Sequence, residues 1–156
     1  MNATDSIILN FEEIRRRSIL LWSGIPRDFY AWRPDAQALG CLEMVRHVLE
    51  GEHLFHQIIL NRGNLGDYPS PWQNRPYTNL DDELAFSHSY RNSFMAMIRS
   101  FRAEDLEAIE IVRKEKGQQR KLGDYLNRIA YHESVHAGQM LSYLRTLQVV
   151  RPAIWD

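Results

Sequence analysis

The chain has 156 residues, of which 44% are hydrophobic and 25% are charged. This length fits one domain spanning residues 1–156, and the composition is typical of a soluble globular protein. The formal net charge of −1 gives no electrostatic reason to expect nucleic acid or an anionic membrane as a partner. No apolar run approaches the roughly 18 residues of a membrane span. With a single cysteine, Cys41, and no visible secretion signal, we expect a cytoplasmic protein without an intrachain disulfide.

Apolar residues recur at intervals of three and four over most of the chain, which predicts helices. The first helix is predicted behind Asp5 or Ser6 as the N-cap and ends at Ser23-Gly24-Ile25-Pro26. Glycine suits a helix C-cap, and proline disfavours helix in the residue before it. A second helix is predicted from about residue 39 to residue 60, where Asn61-Arg62-Gly63-Asn64 ends it.

The longest irregular stretch, residues 63–79, combines prolines and glycines with three aromatic residues. Proline and glycine exclude regular structure there, whereas Tyr68, Trp72 and Tyr77 indicate that the loop packs against the protein. A third helix is predicted from Asn79 to about residue 101, with acidic residues well placed in its first turn.

Residues 103–119 form an irregular connection between the third and fourth long helices. Residues 109–112 alternate like a strand, and residues 116–118 resemble a turn. The last helix, residues 121–148, carries the longest apolar stripe. Four long helices around one core predict an all-α four-helix bundle, with a long aromatic and proline-rich loop between helices 2 and 3.

Two histidines, His132 and His136, stand one turn apart in the last helix. At this spacing the two rings lie about 40° apart around the axis and roughly 6 Å apart along it, so both can reach one cation. Both fall inside the apolar stripe, which predicts that they face the bundle interior. Two buried histidines are costly unless they are hydrogen-bonded or bind a metal, so a divalent metal site is favoured over a pair of satisfied core histidines.

Glu133 completes the pattern H-E-x-x-H, which also occurs on the helix of metalloproteases. Those enzymes take a third ligand from further along the chain. After His136 this sequence has no histidine or glutamate, and its only acidic residue is Asp156. The protease interpretation is therefore weak, and we expect the third ligand upstream. Glu133 is the candidate catalytic general base. Because it is rotated about 100° from His132, a role in helix packing or in supporting a ligand stays open.

Four upstream histidines are candidates for the third ligand: His47, His53, His56 and His88. His47 is favoured because it lies among apolar residues of the second helix, and Gly51 leaves space one turn later. His53 and His56 lie about 240° and 180° around the helix from His47, beside charged residues, so we expect them on the surface. His88 is expected at the edge of the core or in solvent.

These residues resemble the motifs of the DinB/YfiT-like superfamily of metal-dependent enzymes. The resemblance is carried by Met44-Val45-Arg46-His47, by His132-Glu133-Ser134-Val135-His136-Ala137-Gly138-Gln139, by Leu144-Arg145 and by Trp32-Arg33-Pro34. It spans nearly the whole chain in length and helix order. One departure is Ala137, which stands where relatives often carry arginine, so any role of that arginine is not expected here.

The resemblance implies an up-down-down-up bundle and a divalent cation held by His47, His132 and His136. It also implies a homodimer. Zinc, nickel, iron and manganese all suit three nitrogens with an open position. Family members with assigned activities include S-transferases that use a thiol cofactor and a thiol-dependent isomerase. A small-molecule substrate and a low-molecular-weight thiol are therefore expected, whereas DNA binding is not implied by the family's damage-inducible name.

Three functions stay open at this point. The first is a metal-dependent enzyme, either an S-transferase or a hydrolase, whose cation activates a thiol or water. Its substrate pocket is expected beside the loop from Tyr68 to Tyr77. The second is a metal-stabilised binding protein or stress-response module without turnover, in which His88 or Glu133 closes the metal shell. The third is a helical interaction module without a metal.

Overall fold

The computed structural model describes residues 1–155 and shows a mostly helical fold. Its α-helices and β-strands are α1 (Ala3–Ser23), α2 (Cys41–Asn61), α3 (Leu80–Ser100), α4 (Asp105–Ala108), β1 (Glu110–Arg113), β2 (Gln118–Lys121) and α5 (Leu122–Thr146). Helix α1 packs against α3 and α5, and α2 packs against the same two helices. Within residues 1–155, no helix has the length and apolar character needed to cross a membrane.

Helix α1 begins earlier than predicted because its N-cap is Asn2. The Asn2 side chain accepts a hydrogen bond from the Asp5 backbone amide at 2.9 Å, and the Asp5 carboxylate accepts one from the Asn2 amide at 3.1 Å. This reciprocal pair satisfies two of the free amides at the start of the helix. The prediction of Asp5 or Ser6 as the N-cap was therefore wrong, whereas the predicted end at Gly24 is confirmed.

The connection between α3 and α5 contains an antiparallel β-hairpin, so the fold is not strictly all-α. Ile111 of β1 is buried, which explains the short alternation in the sequence. The hairpin docks on the end of α2, where the Val112 amide donates to the Arg62 carbonyl at 3.0 Å. A Cβ on Gly63 would lie 2.5 Å from the Val112 oxygen, so this close approach of two backbones requires glycine.

A charged layer separates two apolar clusters in the core. Each of the four long helices contributes one member: Arg15, Glu52, Arg91 and Glu133. On α1, Arg15 lies between Phe11 of one cluster and Leu21 of the other. The layer is held by ion pairs between helices, and it crosses the protein beside the two histidines of α5.

The loop between α2 and α3 packs against the protein, as predicted. Trp72 is buried, and its ring lies 5.0 Å from that of Tyr90 between ring centroids. Arg46 of α2 reaches the far end of the loop and donates a hydrogen bond of 2.8 Å to the Pro76 carbonyl. Tyr77 remains 51% exposed, although the Arg46 guanidinium lies over its ring. The loop is therefore anchored at several points along its length.

Candidate metal centre

His47 of α2 meets His132 and His136 of α5 in one compact group. The Nε2 atom of His132 lies 3.1 Å from Nε2 of His47 and 3.1 Å from Nε2 of His136. All three ligand atoms lie within 4.8 Å of one another. Two nitrogens bound to one zinc ion at about 2.0–2.1 Å are separated by about 2.9 Å at a right angle and about 3.4 Å at the tetrahedral angle. The observed separations therefore fit coordination of one ion.

The protonation of His136 suits a metal ligand. Its Nδ1 atom lies 2.7 Å from Oε1 of Gln139, which can only accept a hydrogen bond. The ring proton therefore sits on Nδ1, and the lone pair of Nε2 faces the other two histidines. Gln139 belongs to the same motif of α5 as the two histidines.

Burial keeps two of the imidazoles neutral, which is the form that binds metals. Burial, together with the nearby His136 and His47, lowers the pKa of His132 to about 4. Burial and His136 also lower the pKa of His47. Gly51 faces this arrangement, and a Cβ there would meet Cε1 of His132 at 3.4 Å, an ordinary van der Waals contact.

The site lies at the edge of the helices and not in their interior. His47 is exposed, and His132 and His136 are half-buried, so the prediction of inward-facing histidines was wrong. The buried face of α5 runs instead through Glu133 and Met140. His132 stands about 100° from Glu133 around the helix, so it falls on the rim of that face.

Glu133 points into the charged layer. It is 4% exposed, and its two carboxylate oxygens accept hydrogen bonds from Arg15 at 2.8 and 2.9 Å. Burial alone would raise the pKa of Glu133, but the charge and hydrogen bonds of Arg15 lower it below the usual range. Both oxygens of this buried carboxylate are engaged by Arg15, and the side chain is out of reach of a substrate at the exposed metal site. These contacts favour the packing role that the sequence left open and give no support to a general base.

The remaining histidines do not join the group. His53 and His56 are 5% and 6% exposed, so the prediction that they lie on the surface was wrong. The loop after α2 covers this side of the helix, and the Tyr68 hydroxyl lies 2.8 Å from Nε2 of His53. His88 is exposed, as expected, and its Nε2 lies 3.1 Å from the Asn92 side chain.

A groove of about 400 Å³ reaches the site at His132. It lies between α2, the β-hairpin and α5, and its polar lining includes Arg113, Tyr125 and Arg128. The loop from Tyr68 to Tyr77, which was expected to wall a pocket, does not line this groove. No sequence pattern identified these three residues as part of a site. Tyr125 and Arg128 lie on α5 outside the histidine motif, and Arg113 lies in the irregular connection between α3 and α5.

Comparison with known proteins agrees with this fold. A model of the DinB superfamily matches residues 10–140. The chain is 26% identical over 148 residues to the uncharacterized protein YjoA of Bacillus subtilis (strain 168), an alignment that covers 94% of this chain and 92% of that protein. The crystal structure of a DinB-like protein, YjoA from Bacillus subtilis, matches with a TM-score of 0.71 at 24% identity and covers 95% of each chain. At this identity the structural likeness shows the fold.

Proposed function

The chain belongs to the DinB superfamily, and from this premise we propose that it is a metal-dependent enzyme acting on a small molecule. In this proposal His47, His132 and His136 hold one divalent cation, which is zinc, nickel, iron or manganese. The observation that carries the proposal is the approach of three imidazole nitrogens to within 4.8 Å of one another.

The surroundings of the three histidines support a catalytic site over a closed structural one. Within residues 1–155, no cysteine, aspartate, glutamate or fourth histidine joins the group. His47 is exposed, so solvent and small molecules can approach. Catalytic sites typically combine three protein ligands with one open position, whereas structural sites are closed by four. A cation in such a site lowers the pKa of bound water or of a bound thiol.

We assign the thiol of an S-transfer reaction to an external cofactor. Cys41, the chain's single cysteine, is fully buried, and burial raises its pKa to about 11. It is therefore protonated near neutral pH and cannot act as the nucleophile. A low-molecular-weight thiol that reaches the exposed side of the metal site would supply the sulfur atom.

The protein's own residues position the site in this proposal. Gln139 holds His136 in the tautomer that presents Nε2, and Gly51 of α2 faces the ring of His132. Glu133 acts through Arg15 to fix α5 against the other helices and does not carry the substrate proton. The proposal also includes the up-down-down-up order of the long helices, a homodimer, a cytoplasmic location, and no nucleic acid or membrane partner.

The test compares two reactions on the zinc-loaded protein. One is the conjugation of monobromobimane with cysteine or glutathione, and the other is the hydrolysis of p-nitrophenyl acetate. We expect thiol-dependent turnover that is lost in His132→Ala and retained in His88→Ala, a matched change at an exposed histidine. Thiol-independent ester turnover would assign a hydrolase. If the metal-loaded protein shows neither activity, the result would contradict the proposal of an enzyme and favour a binding module.

A further inference from the structure

The groove beside His132 is positively charged. Two guanidinium groups line it, from Arg113 on β1 and from Arg128 on α5, and no carboxylate residue is part of the lining. Arg113 pairs with Glu115 at 3.2 Å, outside the groove lining. Arg128 forms no ion pair with any residue in the described part of the chain. The groove therefore holds positive charge that protein carboxylates do not fully compensate.

Two polar atoms along this groove are buried without a hydrogen-bond partner. They are the hydroxyl of Tyr125, a residue that is only 3% exposed, and Nε of Arg113. An unpaired buried hydroxyl is unfavourable, so a ligand that accepts a hydrogen bond from Tyr125 would stabilise this arrangement. Burial raises the pKa of Tyr125, and the charge of Arg113, a side-chain interaction of Arg113 with the hydroxyl and the charge of Arg128 oppose this shift. The Arg113 side chain therefore lies close to the hydroxyl without reaching hydrogen-bond geometry. The hydroxyl is therefore a donor near neutral pH, and both guanidinium groups are close enough to act on it.

The rest of the lining is apolar and leads to the metal site. Phe55, Ile129 and Val135 contribute side chains to the groove. The ring of Phe55 lies 5.6 Å from that of His132 between centroids. A molecule in the groove would thus have an apolar part against these side chains, close to one of the three histidines.

We propose that this groove binds the acid group of the substrate and that the enzyme acts on small organic acids with an apolar body. Arg113, Arg128 and Tyr125 supply three donors for one anionic head group, and hydrogen bonds between charged partners are the strong ones. Placing the head group at the hairpin leaves the apolar body next to His132. This inference rests on the proposed function for the identity of the reaction, but the anion site stands on its own residues.

The test is a titration of the zinc-loaded protein with phenylacetate and with its uncharged counterpart phenylacetamide, followed by NMR of the backbone amides. We expect the acid to bind about tenfold more tightly than the amide. Arg128→Gln should weaken acid binding by about five- to tenfold and leave amide binding unchanged. Lys116→Gln is the matched control, because it removes one positive charge from the hairpin turn outside the groove lining. Arg113→Gln is a second variant. Its affinity for the acid is compared with that of the wild type only if its NMR spectrum shows a folded hairpin.

Equal affinities for the acid and the amide would overturn the proposal, as would wild-type acid binding by both arginine variants. If acid binding is lost when the metal is removed but is unchanged in Arg128→Gln, the carboxylate binds the metal and not the groove. That result would also overturn the proposal. If the protein binds no metal but still binds phenylacetate in a manner that depends on Arg128, the anion site is supported and the proposed metal-dependent function fails. The two claims are therefore separable.

Discussion

Both carboxylate oxygens of Glu133 accept hydrogen bonds from Arg15, at 2.8 and 2.9 Å. Glu133 lies next to His132 in the sequence, yet its side chain enters the charged layer and not the metal site. Glu52 and Arg91 extend that layer to α2 and α3. Because α5 carries both Glu133 and two of the three histidines, the ion pair with Arg15 ties the position of the metal site to the core.

Replacing Glu133 should affect stability more than chemistry. Glu133→Gln leaves Arg15 buried with only Glu52 as a counter-charge, and removing one partner of a buried pair costs about 3 kcal/mol or more. We expect a decrease of about 3 kcal/mol in the free energy of unfolding, measured by urea denaturation, with the zinc content of the folded protein unchanged. Wild-type stability combined with lost turnover would instead make Glu133 catalytic.

The matched control for this change is Glu13→Gln on α1. Glu13 also forms ion pairs, with Arg16 at 3.1 Å and Arg17 at 3.3 Å, but its side chain is 37% exposed. Exposed pairs are screened by water, so we expect a loss below about 1 kcal/mol. The difference between the two variants isolates the contribution of burial.

Gln139 should tune metal affinity without being a ligand. Gln139→Leu removes the acceptor for Nδ1 of His136, so the ring is free to rotate and to change tautomer. Loss of such a supporting group typically costs about ten- to a hundredfold in metal affinity. Zinc titration against a competing chelator should show that loss. Asn127→Leu, a similar change on an exposed part of α5, should retain the wild-type affinity, and equal losses in both variants would argue against the role of Gln139.

Stability should decrease as the pH falls below neutrality. Burial lowers the pKa of His53 and of His56 in the folded protein, so the unfolded chain binds protons that the folded chain does not. The free energy of unfolding is highest above the unfolded pKa of about 6.5 and falls below it, by at most about 1.4 kcal/mol per pH unit for each histidine. His47 and His132 contribute with the same sign when no metal is bound.

Urea denaturation with a chelator present, between about pH 7.5 and pH 5.5, measures this slope. His56→Phe should reduce the slope because it removes one buried group that titrates. His88→Phe changes an exposed histidine and should leave the slope as it is in the wild type. A slope that is the same in His56→Phe would show that His56 does not titrate on unfolding.

The docking of the hairpin should depend on Gly63. In Gly63→Ala the new Cβ would lie 2.5 Å from the Val112 oxygen, so the two backbones must separate. We expect a loss of about 1–3 kcal/mol in the free energy of unfolding and faster hydrogen exchange of the Val112 amide. Gly138→Ala is the control, because a Cβ there meets nothing within 4 Å. Equal effects of the two changes would contradict the close contact.

The sequence predicted the long helices and the three histidines for local reasons. Helix periodicity and the spacing of His132 and His136 depend on residues within a few turns of one another, and such patterns are the most readable. The position of His47 followed from its face of α2. The exposure of His47 and the half-burial of His132 and His136 did not follow, because an apolar stripe does not reveal which of its edges another helix covers.

The burial of His53, Glu52 and Arg15 could not be read from their neighbours in the sequence. His53 is covered by a loop that returns from Tyr68, and Glu52 is paired with Arg15 and Arg91 from two other helices. These partners are far apart along the chain. The charged residues beside His53 therefore predicted a solvent-exposed surface, whereas in the fold Glu52 belongs to a buried layer of ion pairs. The groove beside His132 was missed for the same reason.

Zinc binding by histidine variants tests the central claim most directly. Elemental analysis and zinc titration should give one ion per chain for the wild type and for His88→Ala. The same measurements should show a loss of at least about a hundredfold in affinity for each of His47→Ala, His132→Ala and His136→Ala. A His47→Ala protein that keeps one ion at the wild-type affinity would contradict a site built by three histidines from α2 and α5.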